Sequence, residues 1–126
     1  MAPSGSYHPS RAVASVTAGA SSLAADAATL ARWCSLLYGG HVIPADLVTQ
    51  MTTPDPAGVR GLGNIIGAEG GQRLVGHSSH TWAYRGMMLT WTTDQISVAV
   101  LAPGPPGLRG SDVAALAVRL HALASD

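Results

Sequence analysis

Residues 84–102, YRGMMLTW-TTD-QISVAVLA, restrict the fold more than any other part of the chain. Two apolar runs flank a compact turn of Thr92, Thr93 and Asp94. Because strand side chains alternate between faces, Met87, Leu89 and Trp91 share one face of the first run, and Ile96, Val98 and Val100 share one face of the second. This pattern predicts an antiparallel hairpin. Upstream, GLGNIIG and QRLVGH are separated by the turn-rich AEGGQ, which predicts another antiparallel pair. Together the runs read as a meander of three or four strands.

The period differs on either side of this region. Asp26 is placed to cap a helix in which Leu30, Cys34 and Leu37 recur at helical spacing beside Trp33, and Gly39 and Gly40 supply its stop. A short second helix is expected to start at Pro44, whose missing N–H costs nothing in a first turn, and to run through Leu47 and Met51 to the breaker TTPDP. PGPPG ends the sheet. Ser111 then caps a last helix with Val113, Leu116, Leu120 and Leu123 as its apolar stripe. The fold class is therefore α+β, an antiparallel sheet with flanking helices. Residues 1–21 read as an irregular lead-in and residues 22–126 as one domain without internal repeats.

Composition narrows the functions open to such a domain. A chain of 126 residues with 47% hydrophobic and 11% charged residues has the makings of a core rather than of disorder. Seven basic residues balance seven acidic ones, so no long-range field gathers nucleic acid or anionic lipid. The N-terminus lacks the basic region and apolar run of a secretory signal, and no apolar stretch reaches the roughly 20 residues of a membrane span. As written, the chain reads as cytoplasmic. The single cysteine, Cys34, lies on an apolar helical face and reads as core. All basic residues are arginine, so a mechanism needing a lysine base is closed to this sequence.

Chemistry concentrates in VGHSSHTWAYRG, residues 75–86. His77 and His80 do not suggest a metal, because zinc needs three or four ligands and these two point to opposite faces of a strand. No cofactor is implied. GHSSH also matches part of the nucleophile elbow G-x-S-x-G, with Ser78 as nucleophile, Asp94 or Asp112 and then His121 following in order. An elbow needs glycine where His80 stands and a helix where a hairpin follows, and His121 is expected on a solvent-edged helix. The plainest alternative makes His77 a strand histidine satisfied by its neighbours.

Residues 20 to about 102 resemble the C-terminal part of the serine β-lactamase and penicillin-binding-protein superfamily, in its class C and D-alanyl-D-alanine peptidase or esterase-like branch. Three stretches carry the likeness: ASSLAADAATLARW, LLYGGHVIPADLVTQMTTP, and GLG followed by LVGHSSHTWAYRGMM. The resemblance implies a partial β-lactamase-like fold. It also implies that GHSSH lies where the family's third motif, K-T-G or H-x-G, walls the active site. His77 then takes the His place near the substrate carboxylate, Ser78 the variable place and Ser79 the glycine place. His80 adjoins the substrate, and Tyr84 and Arg85 match a Tyr-Arg of the next strand.

The departures set the expected function. Ser79 puts a Cβ and hydroxyl where a glycine would leave room for substrate. His80 and Trp82 replace residues that are usually small or proline. The family's S-x-x-K and Y-x-N motifs are missing: there is no lysine, and none of Tyr7, Tyr38 and Tyr84 is followed two residues later by Asn. The resemblance therefore implies a truncated or frameshifted serine hydrolase that is inactive alone. The alternatives are a small esterase-like hydrolase using Ser78 and His121, and a non-catalytic assembly module. In the resembled fold, strand Gln95 to Leu101 would be flanked by strands not encoded here. Self-association, or a chain supplying the missing half, is expected through that edge.

Overall fold

The computed structural model describes residue 15 and residues 23–80, 84–103 and 107–125. The expected lead-in over residues 1–21 lies, except for Ser15, outside the described residues. Helices α1 (Ala27–Tyr38) and α2 (Ala45–Thr52) precede strands β1 (Ile65–Glu69), β2 (Gln72–His80), β3 (Tyr84–Trp91) and β4 (Ile96–Pro103), and helix α3 (Gly110–Ser125) follows. The strands form one antiparallel sheet in the order β1-β2-β3-β4. The fold is α+β, with helices flanking a four-stranded meander.

Local signals set the first helix. The Asp26 carboxylate accepts from the Thr29 N–H at 2.7 Å, satisfying a donor that the first turn leaves open. At the other end Gly40 takes φ +77°. Its N–H donates to Leu37 O, and the His41 N–H donates to Leu36 O. These paired bonds make a Schellman stop, which glycine enters without steric cost. Pro44 stands one position outside the expectation: it is the N-cap of α2, with ψ 146°, rather than its first helical residue.

The hairpins follow their turns. Gly70 and Gly71, at φ 60° and 79°, join β1 to β2 in a two-residue loop whose twist suits the strands. Between β3 and β4 the Asp94 carboxylate accepts from the Ile96 N–H, and the Gln95 amide donates to Thr92 O. Gln95 has φ 60° and belongs to this turn, so β4 begins one residue later than expected.

Register divides the sheet into two faces. Leu74, Leu89, Trp91, Val98 and Val100 share one face and form the main core with Val113 and Ala117 of α3. On the other face Val75 and Thr90 are fully buried, and Thr90 Oγ1 meets Ser97 Oγ at 2.7 Å. The second helix reaches this face through one hydrogen bond. Arg73, which alternates in phase with Val75, donates to Thr52 O at the end of α2, and α1 packs on β3 and β4 with Cys34 buried. Burial pushes the Cys34 thiol up to about 11, which suits a core residue.

The last helix corrects the expectation most. Ser111 is not its cap. The Asp112 carboxylate instead accepts from the Arg109 N–H at 2.8 Å, as one half of a capping box does. The buried line is Val113, Ala117 and His121, whereas Leu116, Leu120 and Leu123 are exposed. Small Ala117 brings α3 close to the sheet, and the bulkier leucines are left on its flank. No helix among the described residues is long and apolar enough to cross a membrane.

Gly76 is the position where this sheet has least room. A Cβ there would lie 2.0 Å from the Met88 carbonyl oxygen of β3, so the backbone itself must move. Gly76→Ala is expected to lower unfolding free energy by about 1–3 kcal/mol in urea melts. Gly110→Ala, where nothing lies within 4 Å, is expected to leave it within about 0.5 kcal/mol.

Candidate functional site

The histidine–serine segment occupies the outer end of β2, where His77, Ser78, Ser79 and His80 are all exposed. Alternation puts His77 and Ser79 on the face of Val75 and Thr90, and Ser78 and His80 on the face of Leu74 that α3 packs against. Cross-strand pairing sets His77 against Met88, Ser78 against Met87, Ser79 against Gly86 and His80 against Arg85. His77 Nδ1 lies 2.6 Å from Ser78 O, a local contact that fixes the ring beside its own backbone. A Cβ on Gly86 would come within 3.3 Å of the Ser79 Cβ. Glycine at 86 thus makes room for serine at 79. Trp82 lies outside the described residues.

Ser78 and His121 are not brought together. His121 stacks on Trp91 with ring centroids 3.9 Å apart and planes 7° apart. Trp91 pairs with Leu74, four residues from Ser78, or about 13 Å along the strand. His121 is also not at a solvent edge: it is 9% exposed, in line with Val113 and Ala117. Of the two acids that follow Ser78 in order, Asp94 reaches His121 and Asp112 caps α3.

A different cluster of serine, histidine and aspartate therefore exists, and its geometry is structural. Asp94 Oδ2 lies 2.7 Å from His121 Nε2, and Ser125 Oγ lies 3.3 Å from that same nitrogen. A proton relay needs the acid and the nucleophile on opposite ring nitrogens. Ser125 instead bonds His121 O one turn back at 2.9 Å. The cluster fastens α3 to the β3–β4 turn. Sequence order left Asp94 and Asp112 open as the acid, and of the two Asp94 pairs with His121; the stack on Trp91 had no local signal.

Desolvation acts to raise the Asp94 carboxyl, but hydrogen bonds from His121, the Ile96 N–H and Gln72, together with the charge of His121, hold it below its ordinary value near 3.8. Among the described residues no three His, Cys, Asp or Glu side chains converge as metal ligands do. No family model matches the chain, and no curated protein matches it.

A carboxyl held low in the folded state stabilises that state above its unfolded pKa, and the contribution is lost as pH falls through the folded one. The stability gap between the wild type and Asp94→Asn is therefore expected to be open at pH 5 and to close as pH falls below the ordinary carboxylate range. Denaturant melts of both proteins across that range check it. A gap that widens toward acid contradicts the assignment.

Proposed function

We propose that the chain is the C-terminal part of a serine hydrolase fold of the β-lactamase and penicillin-binding-protein kind, forming one wall of a substrate groove without acylating substrate itself. The observation that carries this reading is the exposure of His77 at the outer end of β2, on the face where Val75 is buried farther along the strand. A groove between sheet and helices would open at that end, with His77 available to a substrate carboxylate. Ser79 would narrow it, opposite Gly86. Ser78 and His80 would line the other side of the strand.

Acylation by a serine needs a base in reach of its hydroxyl. The sequence contains no lysine, so a serine–lysine pair is not available within it. Nucleophile and base act as a unit, and losing both leaves little beyond binding. The outer edge of β4 is where a partner would add a strand, either a second copy or a chain bringing S-x-x-K and Y-x-N. An active hydrolase using Ser78 and His121 has less support, because the two are far apart and the imidazole is already occupied by Asp94 and Trp91.

Intact-mass spectrometry after incubation with a fluorescent penicillin, and separately with a fluorophosphonate, tests the proposal. Neither reagent is expected to add mass. A stoichiometric penicillin adduct would overturn the non-acylating reading. A fluorophosphonate adduct lost in both Ser78→Ala and His121→Ala would put the esterase-like reading in its place.

A further inference from the structure

Helices α1 and α3 both pack on β3 and β4, yet β4 ends the sheet, and no described strand pairs with its outer edge. Its eight residues, ISVAVLAP, carry no charge, and the only proline is the last. Soluble proteins ordinarily blunt such an edge with lysine, proline, a bulge or a covering segment, because its open N–H and C=O groups accept any matching strand. Leu101, near the end of β4, is 42% exposed.

A second unpartnered surface runs along α3. Leu116, Leu120 and Leu123 are 44%, 39% and 75% exposed. At 3.6 residues per turn they lie about 90° around the helix from the buried line of Val113, Ala117 and His121. They occupy the flank opposite Val118, which packs against the core cluster. Helix α3 lies over β3 and β4, and the leucine flank is the one that leaves the core there.

We propose that both surfaces are filled by a second copy of this chain, paired antiparallel along β4 about a two-fold axis normal to the sheet. An antiparallel strand is self-complementary under such an axis, so each open donor on one copy meets an acceptor on the other. The same axis keeps like faces together. The two α3 helices then run side by side on one face, and their leucines meet across the axis above the new strand pair. The formal net charge is zero at pH 7, so no net repulsion holds two copies apart. The inference rests on β4 as the open edge and is independent of the hydrolase likeness.

Sedimentation velocity of the full chain, from micromolar to near-millimolar concentration, tests this together with amide hydrogen exchange over residues 96–103. The expected result is a species of twice the 12.8 kDa chain mass, with β4 amides gaining protection as concentration rises. Leu101→Lys and Leu120→Glu, each checked for folding by circular dichroism, are expected to weaken the dimer at least about tenfold. A dimer indifferent to both folded variants overturns this interface. A wild-type monomer whose β4 amides exchange freely overturns the dimer while leaving the edge open. A monomer with β4 protected at every concentration overturns both. If either variant unfolds, the concentration dependence of wild-type exchange decides.

Discussion

The stack of His121 on Trp91 is the interaction on which the packing of this domain turns. Trp91 is 1% exposed and sits between Leu74 and Ile96 in the register. Truncating a buried aromatic of this kind costs about 3–5 kcal/mol. The imidazole covers the indole face, and its Nε2 is held by Asp94 in the turn that joins β3 to β4. One side chain of α3 thereby fixes the helix, the central strand and the turn beside it. Because that position is occupied, His121 is not free to serve as a base elsewhere.

The two ends of the strands consequently have different characters. At the Trp91 end both faces are covered, and the buried Thr90 hydroxyl meets that of Ser97. At the His77 end β2 is exposed on both faces. Chemistry-bearing side chains sit where the core stops, supported by β3 pairing through Gly86 and Met88. Binding residues commonly take such positions, because a rigid scaffold presents them without burying them.

Much of this architecture was legible because its signals are local. The Asp26 cap, the Gly39–Gly40 stop, the paired glycines at 70 and 71 and the alternation through 84–102 each act within a few residues. The last helix was misread because leucine outweighs alanine and histidine in any hydrophobic pattern. The sheet selects Ala117 for close approach and His121 for its stack, and neither choice is visible along the chain. The candidate segment was legible as polar residues on a strand, and its alternation assigned His77 and His80 to opposite faces. That Ser78 and His121 stand apart depends on register and helix docking, which are non-local.

Histidine reactivity toward diethylpyrocarbonate, followed residue by residue by peptide mass spectrometry on the folded protein, separates the two kinds of histidine most directly. His77 and His80 are exposed and His121 is 9% exposed under Trp91. The expected result is rapid modification of His77 and His80, with His121 modified only when denaturant releases α3. Modification of His121 at the rate of His77 in the native protein would contradict the stacked, structural role assigned to it.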